Sequence, residues 1–532
     1  MSAHFKWYPA SEEVVVPWNA RYSFPSQSNK AVKITPRIPP KNGAVFAPGQ
    51  VMRLEFPAQG YVNPLNTTLE FDVTLFGPGG TTGATRFQNN IQSIFSRVRL
   101  LYGATPLEDM INYNVIVRSL TEWTATNTQM TMDQTSIAEG IGGVIVASDN
   151  DSNFGVCNVR QKYIQGISVS SSATGTAMVT GTSLGNVPTS SSAAVPAGVV
   201  GNGQTAVTRR YQVNFALGLF TQDKLIPTKF MASQLAIEIT LEQAAACIFS
   251  TAGSGTQVAP TYGVGNVNLI PEILEFDASY DSMFLAGLRD GGVPLKFSSW
   301  HTFIFSSGMS GNINLLVQER SRSVKALFAV QRRQQPNFAF DSGATLFDTS
   351  SNGQSSLQTY QFRIGGRYFP AAPVQCASNV GGAISNGGAE AFVELTKALN
   401  ITGDYRLSSG CNTIKWASQN AAGVLQEFDY GIKLLNFGVN GVPTIDFGEA
   451  VANSFGGDMG SQCFAMAVDL ETSNGVEISG LNAEEQSDIA LIANWTSAQV
   501  TGNAAVPSSL EVYSYYDAMI VLRENNVLEL IQ

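Results

Sequence analysis

A twelve-residue stretch occurs twice in this chain, and that repetition limits the fold more than any other feature. The first copy is Leu274-Glu275-Phe276-Asp277-Ala278-Ser279-Tyr280-Asp281-Ser282-Met283-Phe284-Leu285, and the second is Leu510-Glu511-Val512-Tyr513-Ser514-Tyr515-Tyr516-Asp517-Ala518-Met519-Ile520-Val521. They align without a gap, 236 residues apart from Leu274 to Leu510, with Leu, Glu, Tyr, Asp and Met in register. A match at a long fixed offset predicts two copies of one architectural unit. Two shorter pairs keep the same order in both halves. Ser96–Tyr102 matches Arg322–Phe328, and Phe215–Leu219 matches Phe464–Val468. Together the three predict tandem domains.

The 532 residues fit that division, because all-β domains often run to roughly 200–250 residues as single units. Charged residues make up 14% of the chain and glycine accounts for 50 positions, whereas about a quarter of an ordinary domain is charged. Such a composition predicts strands joined by polar loops, and a surface covered largely by neighbours rather than water. The net charge of −10 argues against a nucleic-acid-coating role, which needs clustered cations to displace counterions. The first 50 residues differ: Lys6, Arg21, Lys30, Lys33, Arg37 and Lys41 against Glu12 and Glu13 leave +4 there and −14 elsewhere.

The five cysteines, Cys157, Cys247, Cys376, Cys411 and Cys463, are scattered, odd in number and without CxxC spacing. That pattern predicts reduced thiols made in a cytosol. No basic-plus-apolar signal segment opens the sequence, and no run approaches about 18 apolar residues. The sequons at Asn66, Asn150, Asn400 and Asn494 are therefore expected to stay unmodified.

Residues 1–50 read as an N-terminal arm. Phe5, Trp7, Tyr8, Trp18, Tyr22 and Phe24 alternate with cations and prolines, and Pro36, Pro39 and Pro40 oppose helix and ladder pairing. An arm that cannot build its own core is expected to pack on a partner, a membrane surface or a neighbouring subunit. A disordered tail is the plainer alternative, against which the aromatics count. Strand patterns start at Val51–Phe56, and Leu69–Leu75 alternates fully, the signature of a half-buried strand. Thr105-Pro106-Leu107-Glu108 reads as a capping box with proline at the first helical position. Met110, Tyr113, Val117 and Leu120 follow at helical spacing, predicting a helix from about 105 onward. Residues 165–207 hold no charged side chain. Strand patterns resume at Tyr211–Phe215, so this segment reads as an insertion within the first unit, carrying exposed function. Gln234–Leu241 is a predicted strand, and Asp290-Gly291-Gly292 marks a linker. In the second unit Asn312–Val317 and Val324 onward read as strands, Phe392, Leu395 and Leu399 mark a short helix, and Val476–Asn482 reads as a strand and turn. The apolar Leu528–Ile531 is expected to be tied into structure. The expected division is 1–50 arm, 51–288 first unit with the insertion at about 165–207, and 289–532 second unit.

A catalytic constellation is not legible. The two histidines, His4 and His301, are far apart, and a histidine metal site or a Ser-His-Asp triad would have to use one of them. His301, in the apolar Trp300-His301-Thr302-Phe303, is expected to be a satisfied structural residue. There is no phosphate-binding loop, dinucleotide fingerprint or nucleophile elbow. Glu484, Glu485 and Asp488 read as a solvated surface, although two carboxylates are all a glycosidase needs. Arg332-Arg333 could bind phosphate, but inter-subunit hydrogen bonds are the better expectation. The repeated Tyr280-Asp281 and Tyr516-Asp517 read as structural anchors, because one active site rarely needs a copy in each half. No catalytic, cofactor or metal residue is therefore assigned, and no cofactor is expected.

Two tandem β units, an aromatic arm and a large uncharged insertion in the first unit resemble the double jelly-roll major capsid proteins of the tectivirus–adenovirus lineage. Phe464–Glu471, Ile478-Ser479-Gly480-Leu481-Asn482 and Tyr515-Tyr516-Asp517-Ala518-Met519 are most similar to virophage, polinton-like and large nucleocytoplasmic DNA virus members. The resemblance implies an all-β fold: two tandem eight-stranded jelly-roll β-sandwiches with short helices in loops and an extended arm. It implies a non-enzymatic major capsid protein in the virion of a DNA virus. Homotrimers would imitate hexagons and tile an icosahedral shell, with 165–207 outward. The arm would face inward, towards an internal membrane, minor capsid or penton proteins, or the genome. The +4 arm suits an anionic inner surface. A β-rich surface adhesin or carbohydrate-binding protein is the alternative, and a β-sandwich hydrolase a weaker one.

Overall fold

The computed structural model describes residues 31–76, 83–87, 91–124, 168–171, 177–178, 206–250, 259–306, 311–333, 357–376, 379–380, 383–384, 389–401, 436–437, 443–444, 464–471, 479–484, 488–495, 508–523 and 528–532. In the first half, β1 (Ala31–Ile34) and β2 (Val45–Phe46) make an interrupted opening strand. Then come β3 (Val51–Glu55), β4 (Tyr61–Phe76), β5 (Phe95–Tyr102), β6 (Thr105–Ile111), β7 (Ala206–Asn214), β8 (Leu235–Leu241) and β9 (Thr261–Phe276). They form two sheets, β1-β9-β4-β7 with β2 also on β9, and β3-β8-β5-β6. Counting β1 and β2 as one strand, the pairing order is first–eighth–third–sixth and second–seventh–fourth–fifth. That interleaving is the jelly roll.

The second half repeats it. β10 (Val293–Ser306), β11 (Gly311–Val317), β12 (Val324–Arg333), β13 (Leu357–Ile364), β14 (Arg367–Gln375), β15 (Met466–Asp469), β16 (Ile489–Trp495) and β17 (Ser508–Leu522) pair as β10-β17-β12-β15 and β11-β16-β13-β14. A further strand, β18 (Leu528–Ile531), adds to β17, so the apolar 528–531 segment is tied into a sheet as expected. Alternation explains the cores. Leu69, Phe71, Val73 and Leu75 of β4 are all fully buried, as are Val512 and Leu510 of β17. Burying each such side chain contributes about 1.5–3 kcal/mol.

The registers decide which connections share an end. Ala206 and Thr261 both lie opposite Phe76, so the links leaving β4 and entering β7 and β9 emerge together at what we call the upper end. Ala31 lies opposite Phe276, which puts the start of β1 and the end of β9 at the lower end. In the second sandwich Ser306 lies opposite Ser509 and Val293 opposite Leu522, with the same polarity. The predicted insertion belongs to the upper link between β6 and β7. Its Ser168–Ser171 pairs with Gly83–Phe87, which also pairs with Ile248–Ser250. Residues 165–167, 172–176 and 179–205 of it lie outside the described residues.

Among the described residues the helices include α1 (Tyr113–Thr124), α2 (Gly218–Thr221), α3 (Ala278–Arg289) and α4 (Ala389–Ala398), with a further single turn at Ala244–Cys247. The predicted helix near Phe392 is α4, with Leu395 fully buried. The capping-box helix is a correction. Thr105–Ile111 is strand β6, at the edge of its sheet, where proline is tolerated because the outer N–H needs no partner. The helix begins only at Tyr113, after Asn112 turns the chain with φ of 55°.

The arm is corrected as well. Residues 31–34 and 45–46 are sheet strands on β9, and three of the arm's six cations are engaged by the first sandwich. Lys33 pairs with Glu272, Arg37 with Glu70 at 3.3 Å, and Lys41 with Glu55.

The tandem inference was right, but two of its three sequence matches do not superpose. Leu274–Leu285 leaves β9 at Phe276 and becomes helix, whereas Leu510–Val521 is all strand β17. Ser96–Tyr102 lies in fourth strand β5, and its match runs into third strand β12 of the other sheet type. The third pair lies at the sixth strand of each half, but Phe215–Leu219 follows β7 and runs into the helical turn Gly218–Thr221, whereas Phe464–Val468 leads into and forms β15.

Candidate functional site

Among the described residues, a set of buried polar groups lies at the seam between the sandwiches. Glu108 is the most unusual group: a carboxylate on β6, 1% exposed. It accepts from the backbone N–H of Gly218 and of Leu219 in α2, both at 2.8 Å, and from the Ser299 hydroxyl on β10 at 2.7 Å. Burial pushes its pKa up, and the three donors oppose that shift. One side chain thus joins an edge strand and a helical turn of the first sandwich to the opening strand of the second. The approach at α2 requires glycine. A Cβ on Gly218 would lie 2.1 Å from the Ser298 carbonyl oxygen.

Two further contacts cross the seam. Thr302 Oγ1 donates to the Ile111 carbonyl at 2.8 Å. Trp123, near the end of α1, stacks on Phe328 of β12 with centroids 5.1 Å apart and planes at 22°. Trp300 adds a third ring, 5.6 Å from Phe328. Aromatic pairs of this kind contribute about 0.5–1.5 kcal/mol beyond their area.

The second sandwich has its own carboxylate anchors. Asp517 accepts from Ser298 Oγ at 2.7 Å and Ser323 Oγ at 3.0 Å, and pairs with Lys325 at 3.0 Å. Burial works against the Lys325 charge, but Asp517 more than offsets it and its pKa is raised. His301 stacks on Tyr516 at 4.0 Å and sets Nδ1 3.1 Å from Glu319 Oε2. Glu319 Oε1 also accepts from the N–H of Arg320 and Ser321 and from Ser321 Oγ. Burial opposes its ionisation, yet the imidazole and these donors bring it down to about 2.

These anchors place the residues singled out from sequence. His301 is satisfied by Glu319 and Tyr516, as expected. Both Tyr-Asp copies are anchors by different means: Asp281 sits on α3 and takes Tyr61 OH at 3.1 Å and Lys229, while Asp517 sits on a strand. Glu484 and Asp488 do not form a pair. Glu484 bonds Arg322 at 2.8 Å and Asp488 bonds Arg363 at 3.0 Å. Arg332 and Arg333 end β12, and Cys247 and Cys376 are buried. His4, Glu485, Cys157, Cys411 and Cys463 lie outside the described residues.

A cleft of about 510 Å³ opens beside α2, walled by Asp223, Lys224, Lys296, Ser298 and Asp517 among others. None of its lining residues is a histidine or cysteine. On the cleft wall Ser298 Oγ donates to Asp517 and accepts from Lys325 Nζ at 3.3 Å, while the Glu108 contacts hold the two sandwiches against each other. Sequence reasoning missed Glu108, Gly218, Trp123 and Glu319. Glu108 carried a signal, but a local one that read as a helix cap.

Among solved structures the chain is similar to a PBCV-1 virus capsid model, at 11% identity and a TM-score of 0.50, over 96% of this chain and 99% of that one. It is also similar to the Faustovirus major capsid protein (10% identity, TM-score 0.47, 94% of this chain and 92% of that one). The mavirus major capsid protein is a third (9%, 0.45, 100% and 94%). At 11% identity the likeness to the PBCV-1 chain is one of fold, end to end. No family model matches the sequence, and no curated protein sequence matches it.

Proposed function

We propose that this chain is a major capsid protein whose work is assembly rather than catalysis. The observation that carries this is the jelly-roll pairing order occurring twice in one chain, locked by a desolvated seam. The chain's likeness in fold to a virus capsid chain supports it. Two sandwiches per chain make three chains a ring of six, so a homotrimer presents a near-hexagonal outline that can tile an icosahedral face. The sandwiches divide at about residue 288/289, within α3. Their upper ends, with the long connections, face outward, and the lower ends face the virion interior. Neighbouring capsomers and minor or penton proteins are the expected partners.

Obligate contacts of such a trimer bury more than about 2,000 Å² per interface. Mass measurement and negative-stain microscopy of the purified chain test the proposal. A particle of about 170 kDa, three times the 56.8 kDa chain, with a hexagonal outline is expected. A stable monodisperse monomer would overturn it.

A further inference from the structure

Helix α3 crosses the lower end from β9 to β10 and is oddly uncovered. Asp277 caps it, accepting from the Ala278 N–H at 2.8 Å. Its inner face is well held: Leu288 is buried, and Phe284 packs on Tyr61 and Phe230 at 5.5 and 5.1 Å. Its outer side is apolar and bare. Tyr280 packs on Phe276 and Tyr61, with centroids 4.6 and 5.6 Å away, yet is 37% exposed, Met283 is 66% exposed, and Gly287 continues their line at helical spacing. A Cβ on Gly287 would meet nothing within 4 Å, so no packing in the described chain accounts for this residue. Gly287 sits in the last turn of α3, which ends at Arg289, and glycines commonly mark where another group comes close to the backbone.

The occupant is indicated by register. Ala31 pairs with Phe276, one residue before the helix cap, so residues 1–30 enter the fold beside the first turn of α3. Twelve helical residues span about 18 Å, and six extended residues reach roughly 20 Å, so the segment is long enough several times over. Phe5, Trp7, Tyr8, Trp18, Tyr22 and Phe24 make it one-fifth aromatic, against 10% for the whole chain. Charge points the same way. With Lys33, Arg37 and Lys41 engaged by the sandwich, Lys6, Arg21 and Lys30 against Glu12 and Glu13 leave only +1. That is little for an anionic lipid or nucleic-acid surface, and the aromatics remain.

We infer that the Tyr280–Met283–Gly287 face of α3 is the docking site for the aromatic segment 1–30 of the same chain. Rings lie on the flat backbone at Gly287 and against the Met283 sulfur, a favourable sulfur–aromatic contact. Tethering at Ala31 makes the encounter intramolecular and favours the chain's own segment over a free one. This inference does not depend on the capsid reading.

The test uses the full chain with a benzophenone amino acid at the exposed position 283, expressed separately in light and heavy isotopes and mixed before assembly. Cross-links to peptides within 1–30 that are wholly light or wholly heavy are expected. Mixed light–heavy links would place a second copy's segment there and overturn the inference. Predominant labelling of added anionic phosphatidylserine vesicles, or of no peptide within 1–30, would overturn it too. In parallel, Gly287→Arg is expected to speed tryptic cleavage at Arg21 and Lys30 by about tenfold without moving the unfolding midpoint. An unchanged cleavage rate in that variant also counts against docking.

Discussion

Acid stability of the second sandwich should run through Glu319. Its side chain is 1% exposed, and its carboxyl is held at about 2 against an ordinary 4.5. A depression of about 2.5 pKa units corresponds to roughly 3 kcal/mol at about 1.4 kcal/mol per unit. The sign follows from the direction: with the folded value below the unfolded one, the stabilisation is fully present above about pH 5. It is lost as pH falls from there through about 2. Glu319→Gln keeps the shape and removes the charge. Urea unfolding followed by tryptophan fluorescence, with Trp300 beside His301 as reporter, should give a variant about 3 kcal/mol less stable at about pH 7. That gap should be nearly unchanged at about pH 5 and clearly smaller at about pH 3. A gap that stays constant across this range would refute the argument, because the ionised carboxylate would then contribute nothing specific.

The seam supplies the other predictions. Glu108→Ala strands three donors at a desolvated site, and at about 1–3 kcal/mol each it should cost at least about 3 kcal/mol, read as a lower unfolding midpoint. Gly218→Ala forces a Cβ against the Ser298 carbonyl; a loss of about 1–3 kcal/mol or more and faster hydrogen exchange in Val293–Ser306 are expected. Trp123→Ala should cost about 3–5 kcal/mol, and small-angle scattering should show a broader distribution of inter-sandwich distances. Lys325→Met leaves Asp517 buried with its serines alone and should cost about 3–5 kcal/mol, most of it recovered by adding Asp517→Asn.

Strands were legible wherever burial was one-sided. Leu69–Leu75 and Gln234–Leu241 alternate because one face meets the facing sheet, and they lie within β4 and β8 to a residue. The tandem division was legible too, but through short apolar matches that mostly join non-equivalent strands. A sandwich strand needs only alternation and an aromatic or two, so such strings recur without sharing a place in the fold. Thr105–Glu108 failed for the opposite reason: its capping pattern is a local preference worth about 1 kcal/mol, and edge pairing with β5 outweighed it.

The amino-acid order alone determined the class of fold, the doubling, and the absence of a legible catalytic motif, because these follow from periodicity and composition over many residues. Only the tertiary structure decided what joins the halves. Glu108 meets Ser299 across 191 residues of chain, and Trp123 meets Phe328 over a similar span. It also placed residues 31–34 and 45–46 in a sheet, with Lys33, Arg37 and Lys41 paired to glutamates of the sandwich they enter. Desolvation and long-range charge pairing depend on what surrounds a residue in space, and no local pattern records that.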